Sequence, residues 1–363
     1  TLQVSGFNAD FDGDTMAIFH PVTNESQAEI VQKMMRSESG DNDLSVNSEI
    51  SKEMAVGLYI LTKDVKINKS PIAVTDKDLE NSTSPYTPVK YRGVTTTMGR
   101  AIFNSTFPPN YPFHNAQVNK SVVNSFIPKI LTMYGQKQAI ETFSNLEKIG
   151  FKFATIFSPS ITLNDIDIPD EIKKLKKRLE TATTEEAAVI IASAEKLLSK
   201  HLEGSGLHDI IASGSAKGWG QTSQILFAKG LVSDAQGKVL DPIPQSFADG
   251  LSNKQFFAAA SGARKGIIDR VLNTAPSGYM SRKLAYALNS VEIDRTLKDC
   301  KTKRTLDVRL SSDVIGRFKG RYIIEKGKVI EFKKENYKAG DVINLRSPIF
   351  CESPKICHTC YGR

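Results

Sequence analysis

Asn8-Ala9-Asp10-Phe11-Asp12-Gly13-Asp14 is the stretch on which the reading of this chain turns. Its three aspartates, Asp10, Asp12 and Asp14, recur at i, i+2 and i+4. On a flat strand they would share one face but span about 13 Å, at roughly 3.3 Å per residue. A single Mg²⁺ needs its oxygen ligands at about 2.0–2.1 Å. The two requirements are reconciled only if the backbone curls, and Gly13 can supply the left-handed turn. Three carboxylates held so close repel one another unless a cation neutralises them. The plain alternative is a polar surface loop.

Two specific rivals are tested by the neighbouring residues. An EF-hand loop starting at Asp10 wants Gly at its sixth position and Glu at its twelfth. Those positions hold Thr15 and Pro21, so that reading fails. A haloacid-dehalogenase-type phosphatase wants D-x-D-x-[TV] after an apolar strand. Asp14 stands at the Thr position, and Gln3, Ser5, Gly6 and Asn8 weaken the strand. A carboxylate-held Mg²⁺ suits phosphoryl chemistry: it lowers the pKa of an attacking hydroxyl, and a second metal about 3.5–4 Å away stabilises a leaving pyrophosphate. Only one acidic triad is visible, so ligands for a second metal would come from substrate phosphates or another chain.

Around this turn the chain has 363 residues, long enough for two or three domains. Its 40% apolar, 24% charged and 8% aromatic content excludes a disordered or collagenous chain. No apolar run reaches the length of a membrane span, so no membrane partner is expected. The start, Thr1-Leu2-Gln3-Val4-Ser5, has neither an initiator Met nor a signal-peptide pattern, and the expectation is a chain cut or processed before residue 1. A net charge of +8 suits a polyanionic partner. The chain carries four Cys, too sparse for a disulfide-stapled domain and better read as thiolates in a reducing, cytoplasmic compartment.

Pattern divides the chain at residues 1–25, 26–168, 169–203, 204–251, 252–290 and 291–363. Residues 26–65 read as helix around Ile30 and Met34, then as an apolar helix from Met54 to Leu61. Residues 66–165 mix short strand-like runs with Pro-rich turns such as Thr106-Phe107-Pro108-Pro109. Pro169-Asp170-Glu171 opens a charged helix, Thr181-Ala182-Thr183-Thr184 breaks it, and Glu185 to His201 resumes it; the expectation is a helical hairpin projecting into solvent. Two further long helical segments are expected over 206–290, and short strands over 291–363.

Residues 253–290 carry Lys254, Arg264, Lys265, Arg270, Arg282 and Lys283 against one acid, Asp269. Ile267, Ile268, Val271, Leu272 and Ala275 fit one buried stripe. Gly262, Gly266, Gly278 and Pro276 are costly inside a helix, about 1 kcal/mol per Gly and 3 per Pro relative to Ala. The rival to one long helix is therefore two shorter ones broken near Pro276. Farther on, Cys351-x5-Cys357-x2-Cys360 with Cys300 offers four thiolates, enough for a closed, structural Zn²⁺ site with Zn–S of about 2.3 Å. His358 is a possible substitute ligand, but its place inside the C-x-x-C turn points it away.

The acidic stretch, followed by Met16-Ala17, resembles the active-site motif of the largest (β′) subunit of multisubunit DNA-dependent RNA polymerases. The resemblance continues through Met34-Met35-Arg36-Ser37, Gly57-Leu58-Tyr59-Ile60-Leu61-Thr62, Gly99-Arg100-Ala101-Ile102 and Ser261-Gly262-Ala263-Arg264-Lys265-Gly266. It ends in Cys357-His358-Thr359-Cys360-Tyr361-Gly362-Arg363, which is similar to the β′ zinc site, with Asp299-Cys300 matching its first ligand. It implies a multi-domain α+β chain: the end of a double-psi β-barrel with the catalytic loop (1–25), a helical and mixed region by the secondary channel (26–168), a charged hairpin at the channel rim (169–203), a connecting helix and loop (204–251), a bridge helix (252–290) and a zinc module (291–363). Asp10, Asp12 and Asp14 would hold catalytic Mg²⁺ at the RNA 3′ end, and Asn8 would contact the ribose of the incoming nucleotide. Thr274, Ala275 and Tyr279 would lie near the templating base pair, with Arg264, Lys265 and Arg282 facing nucleic acid. Ser261 stands where the family has His, and Pro276 where it normally has no Pro; the expectation is a kink fixed at Pro276.

The resemblance further implies partners: a β-like chain, the remaining β′ pieces with clamp and trigger loop, DNA template, nascent RNA, nucleoside triphosphates and an initiation factor. A naturally split subunit, as in polymerases of giant bacteriophages, and a longer chain represented by this segment are both open. The competing functions are a Mg²⁺-dependent phosphatase or nuclease, and a non-enzymatic zinc-containing protein that binds nucleic acid.

Overall fold

The computed structural model describes residues 7, 9, 11–34, 49–50, 52–65, 70–80, 82–294 and 296–362. The chain forms two compact units, Thr1–Lys265 and Gly266–Arg363, and the mixed α+β class expected from the sequence is what forms.

In the first unit, α1 (Asn24–Glu29) is capped by Thr23, whose side chain accepts from the Ser26 N–H, and runs into a π-helical turn, Ile30–Met34. The apolar helix α2 (Lys52–Leu61) is buried nearly throughout. A small sheet follows: β1 (Ile72–Ala73) pairs parallel with β2 (Pro88–Tyr91), which pairs antiparallel with β3 (Val94–Thr97). The short helix α3 (Asp76–Glu80) lies between β1 and β2. Arg92 and Gly93, with φ of 48° and 79°, form the two-residue turn between β2 and β3, the geometry that matches strand twist in a hairpin. Helix α4 (Met98–Ser105) is capped by Thr97, whose hydroxyl accepts from the Arg100 N–H.

Residues 66–165 hold the expected short strands in β1 to β3, but the rest of the stretch departs from expectation. Over a third of that stretch is a helical element, α5 (Lys120–Phe157), with Pro128 inside it and a break at Gly135, where φ is 80°. Val123, Phe126, Ile127 and Ile130 lie buried at i, i+3, i+4 and i+7, and Ala139, Thr142, Phe143 and Leu146 repeat that spacing after the break. The periodicity is helical; Pro128 and Gly135 disguise it as turn sequence. All of these buried residues but Thr142 join Met54, Leu58, Leu61 and Phe103 in one core.

The charged hairpin forms as α6 (Asp170–Leu179) and α7 (Thr184–His201). Thr183 and Glu186 make the reciprocal cap that starts α7. The hairpin does not project free into solvent as expected. Ile172, Leu179, Ala187, Ile190, Ala194 and Leu198 pack with Leu226, Phe227 and Ala228, at the end of α9 (Trp219–Leu226). Short helix α8 (Gly206–Ala212) precedes α9, and Lys63 is tied to Asp209 of α8 at 2.9 Å. Both are short, so the expectation of two long helices over 206–290 holds for one only.

That one is α10 (Asn253–Leu288), 36 residues and continuous through Pro276, about 54 Å at 1.5 Å per residue. No residue of α10 is buried. The apolar stripe expected to be buried is instead open: Ile267 is 60%, Ile268 45%, Val271 68% and Leu272 65% exposed, and Ala275 is exposed too. Side-chain spacing defines such a face, but burial requires an element packed against it.

The second unit holds β4 (Ile293–Asp294), β5 (Leu306–Arg309), β6 (Tyr322–Glu325), β7 (Lys328–Glu331), β8 (Val342–Leu345), β9 (Ile356–Cys357) and the turn of helix α11 (His358–Tyr361). Its four-stranded sheet runs β5-β8-β6-β7, antiparallel throughout. The core is small: Leu310, Ile315, Ile323, Phe332, Ile343 and Leu345.

Candidate metal centres

The second unit brings four cysteines from three places in the sequence to one point. Cys300 follows the β4 segment, Cys351 ends a 3₁₀ turn (Pro348–Phe350), Cys357 ends β9 and Cys360 sits in α11. Strand β9 pairs parallel with β4, placing Cys357 opposite Asp294. The zipper continues beyond it: the His358 and Thr359 N–H groups donate to Leu297 and Lys298 carbonyls at 3.1 and 2.9 Å. This pairing carries the Cys357–Cys360 turn alongside Cys300, closing a gap of about sixty residues.

All four thiol sulfurs lie within 4.8 Å of one another, and Cys300 and Cys360 are 3.6 Å apart. A tetrahedral ion with Zn–S near 2.3 Å sets its sulfurs roughly 3.8 Å apart, so the cluster fits zinc. The Cys357 N–H donates to Cys351 Sγ at 3.4 Å and the Cys360 N–H to Cys357 Sγ at 3.5 Å, contacts that favour thiolate sulfur. Burial acts to raise the Cys300 thiol, but backbone N–H groups of Thr302 and Glu352 pull it down to about 6. Burial pushes the Cys360 thiol up, against the pull of Arg346. His358 is no part of the cluster; its ring stands edge-on to Tyr322 at 5.9 Å.

Arg346 is the residue that sequence reading missed here. It lies just past β8, fully buried, and donates from Nη2 to Asp299 Oδ1 at 2.7 Å, Cys360 Sγ at 3.2 Å and Cys300 Sγ at 3.4 Å. Nothing in Asn344-Leu345-Arg346-Ser347 marks an arginine that will be buried; proximity to Cys351 is the only signal.

Of the acidic turn, Asn8 and Asp10 lie outside the described residues. Asp12 and Asp14 are exposed on a stretch with no helix or strand over residues 11–22. Gly13 has a positive φ of 123°, and among the described residues nothing lies within 4 Å of where a Cβ would stand. Phe11 is 79% exposed with the Lys52 ammonium 4.6 Å from its ring centre. The donor chemistry, carboxylate oxygens open to solvent, suits a hard cation such as Mg²⁺.

On α10, Arg264, Thr274, Ala275, Tyr279 and Arg282 are exposed and Lys265 is half-buried. At about 100° per residue, Arg264, Ala275, Tyr279 and Arg282 fall along one stripe, with Lys265 and Thr274 on its two flanks. The Lys283 ammonium lies 4.4 Å from the Tyr279 ring centre, and the Thr274 hydroxyl donates to the Arg270 carbonyl at 2.5 Å. The strings Gly57–Thr62 and Gly99–Ile102 prove to be packing sequence. The buried Arg100 donates to the Thr62 and Asn115 carbonyls at 3.1 and 3.3 Å and pairs with Asp64.

Compared with known families, residues 250–328 match RNA polymerase Rpb1, domain 5, and residues 1–36 match RNA polymerase Rpb1, domain 2. The DNA-directed RNA polymerase subunit beta' of Borreliella afzelii (strain PKo) is 27% identical, over 100% of this chain and 31% of its own length. Those of Sulfurovum sp. (strain NBC37-1) and Campylobacter jejuni subsp. jejuni are 27% and 28% identical, each over 99% of this chain and 28% of its own length. The chain is thus related to the multisubunit DNA-directed RNA polymerases. Within that class it corresponds to a central fragment of the largest subunit, and it spans less than a third of the length of these curated relatives.

Proposed function

We propose that the chain is the catalytic-centre segment of a multisubunit DNA-directed RNA polymerase. The observation that carries this reading is the alignment of the whole chain, acidic turn to cysteine cluster, with β′ subunits. The reaction is template-directed nucleotidyl transfer. The RNA 3′-oxygen bonds to the α-phosphorus of a nucleoside triphosphate, the bond from that phosphorus to the β-bridging oxygen breaks, and pyrophosphate leaves. Magnesium, when bound, supplies Lewis acidity toward the 3′-hydroxyl and the phosphates.

The chain's own residues divide the remaining work. Asp10, Asp12 and Asp14 hold the cation on the turn made by Gly13. Asn8 hydrogen-bonds the ribose of the incoming nucleotide. Helix α10 is the bridge helix: Thr274, Ala275 and Tyr279 stand beside the templating pair, while Arg264, Lys265 and Arg282 neutralise phosphates. The uncovered apolar side chains of α10 support a helix sheathed by other chains and by nucleic acid. Those partners are a β-like chain, the β′ pieces that carry clamp and trigger loop, DNA, nascent RNA and an initiation factor. Zinc in the four-cysteine site is structural, because four thiolates leave no open coordination position.

Asp12→Ala in the assembled complex tests the reading. RNA synthesis is expected to fall about a thousandfold, equivalent to several kcal/mol of lost transition-state stabilisation, with DNA binding intact. Full synthesis by that variant would end it.

A further inference from the structure

Arg346 has no exposed surface. A guanidinium keeps its proton at any pH a protein survives, so this is a permanent charge taken out of water, and such a charge must be matched by its surroundings. The match here is lopsided. Among the described residues, every hydrogen bond of the guanidinium goes through one nitrogen, Nη2, which faces Asp299, Cys300 and Cys360, while the buried Nε and Nη1 have no partner. Arginine placed only to pair a carboxylate would offer its two-pronged edge; this one turns a single corner to a carboxylate and two sulfurs. A neutral thiol is a weak acceptor. Two N–H bonds shared among three such acceptors suit a buried cation only where the sulfurs carry negative charge, as they do when ligating a metal.

We propose that Arg346 is a positioning residue for the zinc site: its guanidinium bridges Cys300 and Cys360, sulfurs sixty residues apart in sequence, and holds both aimed at one metal. A zinc ion with four thiolates keeps two negative charges, and Arg346 is the cation set directly against two of those sulfurs. The inference rests on the zinc reading above. Outer groups that orient metal ligands change metal affinity by about 10–100-fold when removed.

The test uses the full chain, freed of metal under reducing conditions, loaded with cobalt and then titrated with zinc in competition. Arg346→Met keeps the length and removes charge and donors; Arg346→Lys keeps the charge. Tyr337→Phe removes the Tyr337–Glu325 hydrogen bond of the same unit, neither partner of which bonds a sulfur. Arg346→Met is expected to lose about 10–100-fold in zinc affinity and to shift the sulfur-to-cobalt charge-transfer band. Arg346→Lys should lose less and also shift the band, and Tyr337→Phe should leave the band in place. An unmoved band in the Arg346 variants, whether affinity falls or not, would overturn the proposal, since loss of packing alone does not change sulfur electronics. Should Arg346→Met fail to fold, the band of Arg346→Lys decides in the same way. Failure of the zinc reading has its own signature: the unaltered chain takes up no cobalt in a tetrathiolate site, and both fall together.

Discussion

Gly57 and Gly150 let two helices touch backbone to backbone. A Cβ on Gly57 would stand 1.8 Å from the Gly150 carbonyl oxygen, and one on Gly150 would stand 2.8 Å from the Met54 carbonyl oxygen. Both obstacles are backbone, so no side chain can swing aside. Gly57→Ala is therefore expected to destabilise the first unit by about 1–3 kcal/mol, the usual range for overpacking, read from denaturant unfolding of the full chain. At this same scale the cysteines were legible, because thiolate ligands need fixed types at short spacings. Arg346 was not, because an arginine's burial depends on what folds over it.

Helix α7 could be drawn from the sequence almost to the residue: the expected start at Glu185 lies one residue from the observed Thr184, where Thr183 and Glu186 form the cap. What covers the hairpin could not. Its link to the rest of the unit includes Asp249, which pairs with Lys176 and accepts from the Ser246 N–H at 2.8 Å. Burial acts to raise the Asp249 carboxyl, but the donors from Lys176 and Ser246 outweigh it and hold it below the usual carboxylate range. A carboxyl lowered in the folded state stabilises above its unfolded pKa, and that contribution is lost as pH falls through the folded value. Hydrogen-exchange protection of α6 should thus weaken as the solution is acidified below about pH 4. Asp249→Asn should show lower protection at neutral pH and a flatter acid profile; an unchanged profile would rule out this link. Helix α5 teaches the opposite lesson about legibility. Its i, i+3, i+4, i+7 spacing was present, but Pro128 and the break at Gly135 gave it the look of turns.

Across the molecule, the two units depend on different things. The first has a broad core running from Ile50 to Phe153. Among the described residues, the second has a core cluster of six beside four clustered cysteines, and small domains of that kind draw on metal, where apparent binding free energies reach the order of 10 kcal/mol. Treating the full chain with a strong chelator and reductant is expected to open residues 291–363 to limited proteolysis while the first unit keeps its protection. Equal loss of both units, or of neither, would contradict this division.

The amino-acid sequence alone determined the four cysteines that could hold a metal, the basic character of residues 253–290 and the resemblance of the chain to an RNA polymerase subunit. Each follows from residue type and spacing, which are local properties. Tertiary structure alone decided that Gly57 sits against Gly150, that the charged hairpin is covered on one face, that α10 is bare along its apolar stripe and that Arg346 is sealed against two sulfurs. Burial and contact are properties of pairs of segments far apart in the chain, and no local pattern carries them.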